Sequence, residues 1–455
     1  MRVLLLLLTL LTAPAFAVDI TVSSGTSTVD CDTFSGSVNP GDVLILDSGT
    51  RGNITFRDCR GTAANPIVIK NDPTGQTVFN CSSTFCFVVE DSEHVYVHGL
   101  EVNNTTANCG SEFVNLGDFS SDATTASENQ VCGIKLQCSS GGSQQMVRLA
   151  DVDKNITFES MEIDGGYPSC RSSAPGTGFT GHDGSITVNT NPGEFYEGNK
   201  WLRNYVHDCA SECFYLGQNI RTPRHLAQRD HEIAYNVIVN AGYDAMEVKS
   251  MHEPGANDDT LIHHNYIANT GVNGNGASGN NGHGISLFES GYARVYNNWI
   301  QDTSPSGNNN GACFTQILSN VTTSDATTLP TEWYNNVAVD CQGNGFNTNR
   351  SKDSASAASP DHYNNTCVGS GATCFNYNVR VTSGGIAQDN IGCDSSSADF
   401  DLDGTHTVNN NTSGNCSAVD FVNLAGRNFH LTSGSPAEDT GGNYSSPPTS
   451  DRDWE

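Results

Sequence analysis

Short runs of alternating apolar and polar residues, each introduced by an asparagine, recur along the second half of this chain. Arg203-Asn-Tyr-Val-His-Asp208, Tyr235-Asn-Val-Ile-Val-Asn240, His264-Asn-Tyr-Ile-Ala-Asn269, Asn297-Asn-Trp-Ile-Gln-Asp302 and Asn335-Asn-Val-Ala-Val-Asp340 share this form. Asn365 and Asn390 continue the series, and the steps from Asn204 onward are 32, 29, 33, 38, 29 and 25 residues. A period of two within each run predicts strands, and the recurrence predicts stacked coils that bury their apolar faces only against one another. The asparagines are placed to stack, each side-chain amide bonding its counterpart one coil away. The expected architecture is all-β: a single-stranded parallel β-helix of about thirteen coils, roughly 60 Å long at ~4.8 Å per coil.

The first part of the chain carries the same strand-like runs, including Asp42-Val-Leu-Ile-Leu46, Pro66-Ile-Val-Ile-Lys70 and Cys86-Phe-Val-Val-Glu90. Val95–Val102 and Ile156–Ile163 read as rungs in which Gly99 and Ser160 stand in the asparagine position. Three long polar excursions are expected to leave the solenoid: 103–150, Gly165–Lys200 and the Gly/Asn-rich Gly271–Gly282. The tail from Asn428 is expected to close the C-terminal end, because a bare terminal coil is an aggregation-prone edge.

Met1-Arg2, an apolar run over Val3–Leu11 and the close Ala15-Phe16-Ala17 predict a signal peptide, residues 1–17, ahead of a β-helix domain, residues 18–455. The protein is then expected to be secreted, extracellular or periplasmic, without a membrane-inserted segment, and monomeric. Sixteen cysteines suit that compartment. Ten lie between Cys31 and Cys213 and six between Cys313 and Cys416, which predicts two separate disulfide sets. Cys209 and Cys213 beside His207 offer zinc as a competing use. The balance of 21 basic against 50 acidic residues argues against nucleic acid or anionic membrane as partner.

Charge is uneven. Residues 200–294 hold 7 basic and 10 acidic side chains, a net of −3 out of −29, together with 7 of the 13 histidines. An acidic polysaccharide is tolerated best there. Aligning the rungs places Glu212, Asp244 and His283 in one column and Tyr215, Glu247 and Ser286 in another, with Lys249 and Glu289 just beyond. Carboxylates, an ammonium and an imidazole on one groove suit proton transfer. Arg221-Thr-Pro-Arg-His-Leu-Ala-Gln-Arg-Asp-His231 is the most basic stretch. It is expected to loop over the groove, where Arg224, Arg229 and His231 would hold substrate carboxylates beside Glu247 and Glu289.

The rung pattern and the tail Leu431-x-x-x-Ser-Pro-Ala-x-Asp-x-Gly441 resemble the right-handed parallel β-helix proteins of the pectate-lyase-like superfamily. That superfamily holds lyases, hydrolases, epimerases and adhesins, so the likeness speaks for fold. Asp244-Ala-Met-Glu-Val-Lys249-Ser250 and, one coil on, Gly284-Ile-Ser-Leu287 look like the active-site strands of the alginate lyase and chondroitinase B family. The resemblance implies Ca2+ held by Asp244 and Lys249 as the base; Glu212, one coil back, is a candidate second ligand that the family motif does not assign. Where that family carries an arginine, this chain has Leu287-Phe-Glu289, so Tyr215, Arg221, His283 and Arg294 are the candidates for acid or clamp. The function expected is a secreted polysaccharide lyase cleaving a uronate-containing polymer by β-elimination. The alternatives are a non-catalytic adhesin or glycan-binding surface protein, and a glycoside hydrolase or uronate epimerase.

Overall fold

Among the described residues, three parallel sheets of 14, 11 and 13 strands run side by side, every strand but the end ones paired with its equivalents in the coils before and after it. This is a parallel β-helix, and at ~4.8 Å per strand its longest sheet extends roughly 60 Å. The computed structural model describes residues 17–75, 77–79, 85–103, 112–116, 130–132, 135–137, 145–149, 154–166, 178–181, 195–217, 227–249, 260–272, 282–288, 293–303, 311–318, 331–350, 360–378, 385–402, 407–433, 435 and 437. Residues 1–16 of the expected signal peptide and most of the Gly271–Gly282 insertion lie outside them. Among the described residues the only helical turns are Phe34–Gly36 and Cys416–Ala418, and no helix there is long and apolar enough to cross a membrane.

The asparagine series is a continuous buried ladder. Nδ2 of Asn204 donates to Oδ1 of Asn236 (3.0 Å), and the same bond runs on through Asn265, Asn298, Asn336, Asn365, Asn390 and Asn411 at 2.9–3.1 Å. The second Nδ2 hydrogen of each bonds a backbone carbonyl, as Asn265 does with Ile233 (2.8 Å). Each Oδ1 from Asn236 onward also accepts the backbone N–H of the preceding asparagine, as Asn236 N–H does on Asn265 (3.0 Å). Every polar valence of the amide is therefore used, which is what burial requires. The residue before each ladder asparagine bends left-handed, with φ from 48° at Asn410 to 60° or below elsewhere, Arg203 and Tyr235 included. A non-glycine residue held there costs on the order of 1 kcal/mol or more, which the ladder offsets.

Inside, side chains stack in register. Phe314, Phe346, Phe375 and Phe400 form one column at 4.7–4.8 Å between rings, and Ile238, Ile267 and Ile300 another, all fully buried.

Several expectations are corrected. The described residues within 103–150 do not leave the solenoid. Glu112–Leu116, Gln130–Cys132, Lys135–Gln137 and Gln145–Leu149 supply one strand to each sheet and a further one to the 13-stranded sheet. Each is only three to five residues long and no ladder asparagine introduces it, which hid them. Phe179–Gly181, within the second predicted excursion, likewise adds a rung to the 13-stranded sheet. At the start of the ladder it is Met161, not Ser160, that takes the asparagine place. Met161 N–H bonds Asn204 Oδ1 (3.0 Å) while Ser160 holds the left-handed bend.

The described part of the tail does not plug the end. Phe421–Asn423 and Asn428–Leu431 make an antiparallel hairpin that lies back along the outer face of the 11-stranded sheet. It forms a second apolar core with Val337, Val339 and Val368, and Phe429 stacks on Trp299 at 5.4 Å. Arg427 clamps Asp302 (3.2 Å) and Asp340 (2.8 Å), which stand one coil apart in register order.

All six cysteines of the second set pair among themselves, as Cys313–Cys341, Cys367–Cys374 and Cys393–Cys416. Cys31–Cys59 and Cys209–Cys213 belong to the first set. The disulfide between Cys209 and Cys213 removes them as zinc ligands.

Candidate functional site

Phe214–Leu216, Met246–Lys249 and Ile285–Phe288 are neighbours in the 13-stranded sheet. Strand alternation sends Phe214, Met246 and Ile285, then Leu216, Val248 and Leu287, into the core, where all six are fully buried. Their register therefore puts Tyr215, Glu247 and Ser286 on the opposite face in one column, with Lys249 beside Phe288. Glu212, Asp244 and His283 fall two places earlier, at the corner leading into these strands. That corner is tight: a Cβ on Gly284 would sit 2.5 Å from the carbonyl of Cys313 and from the Ile300 side chain. Only glycine fits there.

Lys249 is the hub. Its Nζ donates to Glu247 Oε1 (2.7 Å) and to the Tyr215 hydroxyl (2.8 Å), and it lies 5.4 Å from the centre of the Phe288 ring. The ammonium and the Glu247 carboxylate are 6% and 9% exposed. Burial alone would lower the Lys249 pKa, but the Glu247 carboxylate and Tyr215 outweigh it and hold the ammonium above its ordinary range. Burial pushes Tyr215 up, with the Glu247 and Glu212 charges adding and Lys249 opposing.

Asp244 and Glu247 form a coupled acidic pair. Burial pushes both up to about 7, against hydrogen bonds to Asp244 and the attraction of Lys249 for each. Asp244 Oδ1 accepts the N–H groups of Gly282 (2.7 Å) and His283 (2.8 Å), so this carboxyl clamps the corner of the next coil. His283 Nδ1 accepts the Ala312 N–H (3.1 Å), which makes Nε2 the protonated nitrogen of the neutral ring. Glu212 is buried at the equivalent corner one coil back.

The remaining predicted residues fall elsewhere. Arg294 stands on the 14-stranded sheet, paired with Glu332 at 3.3 Å. Arg229 is tied to Glu197 on the neighbouring strand Phe195–Glu197, and not to a loop over the groove. His231 is buried, its Nδ1 accepting the Asn199 N–H (3.2 Å) as a ladder oxygen would, and burial lowers its pKa to about 3. It is a neutral structural imidazole. Arg221, Arg224 and Glu289 lie outside the described residues. Phe288 was not picked out as a site residue, although carrying the strand register one place past Leu287 sets it opposite Lys249.

The carboxylates here do not form a calcium cage. Among the described residues, the one place where three or more carboxylate, imidazole or thiolate ligand atoms come within 4.8 Å of one another is on a different sheet. Asp244 Oδ1 is taken by two backbone donors and Glu247 Oε1 by Lys249, whereas calcium seeks six or more oxygens. The donor set does not fit the ion.

No family model matches this sequence, and no curated protein matches it. Solved structures of similar fold include an alginate lyase from Paenibacillus sp. str. FPU-7, 14% identical with a TM-score of 0.44, covering 76% of this chain and 99% of that one. The pectate lyase Pel9A is 14% identical at TM-score 0.38, covering 96% of this chain and 95% of that one. The Streptococcus pneumoniae surface protein and adhesin PfbA is 10% identical at TM-score 0.46, covering 87% and 98%.

Proposed function

We propose that this chain is a polysaccharide lyase that cleaves a uronate-containing polymer by β-elimination at the Tyr215–Glu247–Lys249 cluster. The observation that carries the reading is the Lys249 ammonium bonded at once to Glu247 and Tyr215. Its raised pKa recasts the expected roles. A lysine held protonated is no base, but it is a fixed positive charge for the substrate carboxylate and for the enolate that forms beside it. Glu247, pushed up to about 7, is the base: ionised in useful fraction near neutrality and basic enough to take the proton on C5. Tyr215, kept protonated by burial, accepts from Lys249 and so has its own O–H free to protonate the departing 4-oxygen.

The step balances. Glu247 gains the C5 proton, the C5–H electron pair becomes the C4=C5 double bond, and the C4–O pair leaves with the Tyr215 proton. Lys249, bonded to both groups, returns the proton from Glu247 to Tyr215 and resets the site.

The test is incubation with alginate, pectate and chondroitin, following the ultraviolet absorbance of the unsaturated product. New absorbance that is lost in Tyr215→Phe supports the reading. Reducing ends without absorbance indicate a hydrolase. Binding without either indicates the adhesin, for which the buried Lys249–Glu247 pair would be a purely structural contact.

A further inference from the structure

Asp42 is a buried carboxyl that the proposed chemistry does not use, at the N-terminal end of the solenoid. It is 3% exposed. Carrying the strand register one place back from Val43 sets it level with Ile67 and Val95, which fill the core in the next two coils. An acid in that column has to be compensated, because a buried charge left unpaired is costly. Its two oxygens accept backbone N–H groups. Oδ2 takes that of Asn39 (2.8 Å), across the turn before strand Val43–Leu46, and Oδ1 that of Val18 (2.9 Å).

Val18 is where the chain joins the fold. Its carbonyl accepts the Val43 N–H (3.0 Å), and Asp19–Val22 then opens the 14-stranded sheet against Val43–Leu46. The expected signal peptide ends at the peptide bond before it, and both Ala17 and Val18 are exposed.

The same bond recurs on this sheet with a different acceptor. At the equivalent place in later coils, Asn199 Oδ1 accepts the Ile156 N–H (2.8 Å) and His231 Nδ1 accepts the Asn199 N–H (3.2 Å). Those donors are ordinary amides and their acceptors are neutral, an amide oxygen and an imidazole that burial keeps uncharged. At the first coil the acceptor is a carboxyl, which suits a donor that carries charge.

We propose that Asp42 is the docking site for a processed N-terminus: cleavage between Ala17 and Val18 leaves an α-ammonium on Val18, which pairs with the Asp42 carboxylate and fastens the first strand. In that cleavage a leader peptidase breaks the Ala17–Val18 amide bond with water. The hydroxyl goes to the Ala17 carbonyl carbon and the proton to the Val18 nitrogen, which takes a second proton from solvent. A neutral N–H bond thereby becomes an ion pair, and the buried carboxylate acquires its counter-charge. The inference rests on the expected signal peptide and is independent of the lyase reading. Further along the coil, Arg51 Nη2 holds the carbonyls of Ser23 (3.3 Å) and Thr26 (3.0 Å), so the effect should be confined to the first strand.

The test uses the secreted full chain. N-terminal sequencing should read Val18 first. A second form carries Gly-Ser between Ala17 and Val18, so that processing leaves a neutral amide at Val18. Hydrogen exchange read by mass spectrometry should then be about tenfold faster over residues 19–22 than in the parent, with residues 261–270 unchanged. Asp42→Asn should loosen the first strand to the same degree, and adding Gly-Ser to that variant should change nothing further. The proposal is overturned if the mature chain starts elsewhere, if Gly-Ser leaves exchange unchanged, or if it speeds exchange equally in Asp42→Asn. If Asp42→Asn is not secreted, chemical modification decides the matter. The parent α-amine should react with acetic anhydride about tenfold more slowly than that of the Gly-Ser form, and equal rates would overturn the proposal.

Discussion

Replacing Lys249 with methionine is the perturbation that separates the charge argument from simple packing. The ammonium is bonded to Glu247 and its charge also acts on Asp244, two carboxyls whose pKa values are raised to about 7. In the unfolded chain they titrate near their ordinary values, 4.5 for Glu247. The folded protein therefore holds protons that the unfolded chain has released. Stability is greatest below about pH 4.5 and falls as pH rises through about 7, by roughly 3 kcal/mol for a single such carboxyl. In Lys249→Met no cation faces the ionised form, so the fall with pH steepens. At about pH 8 the variant should lose a further ~3–5 kcal/mol, the usual cost of stranding one member of a buried pair. At about pH 5 both acids are protonated and the loss should be close to zero, because a desolvated ammonium has been exchanged for an apolar side chain of similar length. Urea midpoints read by pulse proteolysis at the two pH values, disulfides intact, give the comparison. Lys249→Met/Glu247→Gln should recover most of the stability at the higher pH. Equal losses at both pH values, or no loss at the higher one, would refute the electrostatic account.

Other predictions follow from the same geometry. Glu247→Gln should lower kcat about 10²–10⁴-fold with little change in KM, and the parent kcat should climb with pH around 7 as Glu247 ionises; a flat profile would remove Glu247 as base. A calcium-selective chelator should leave the initial rate unaltered, since Lys249 supplies the positive charge. Asn265→Ala strands groups on Asn236, Ile233 and Asn298 and should cost about 3 kcal/mol or more in urea unfolding. Asn411→Ala, at the half-buried end of the ladder, should cost clearly less. Arg427→Ala, which frees Asp302 and Asp340, should speed hydrogen exchange in residues 421–431 before it affects the central coils.

The fold was legible because its determinants are local and repeated. Asn204 through Asn390 mark equivalent positions in successive coils, and once they are aligned the register of Tyr215, Glu247 and Ser286 follows by counting. What escaped was whatever lacked the repeat. Glu112–Leu116 and Lys135–Gln137 join the sheets as strands of only five and three residues with no ladder asparagine before them, so the repeat does not flag them. His231 looked like part of a basic loop, yet it fills a ladder position where its Nδ1 acts as an amide oxygen does. The protonation of Lys249 depends on how deeply Glu247 is buried beside it, a property of three dimensions that spacing does not carry.

The C-terminal hairpin acts as a gauge on the number of coils. A solenoid tolerates gain or loss of a repeat wherever one unit resembles the next. Between Trp299 and Cys393, however, the returning strands meet fixed partners: Phe429 on Trp299, and Arg427 on Asp302 and Asp340. Duplicating or deleting a coil inside that span would misalign all of these contacts at once. Among the described residues none of these packing and ion-pair partners lies before Trp299, so that stretch is where lengthened or shortened variants of this protein should remain foldable.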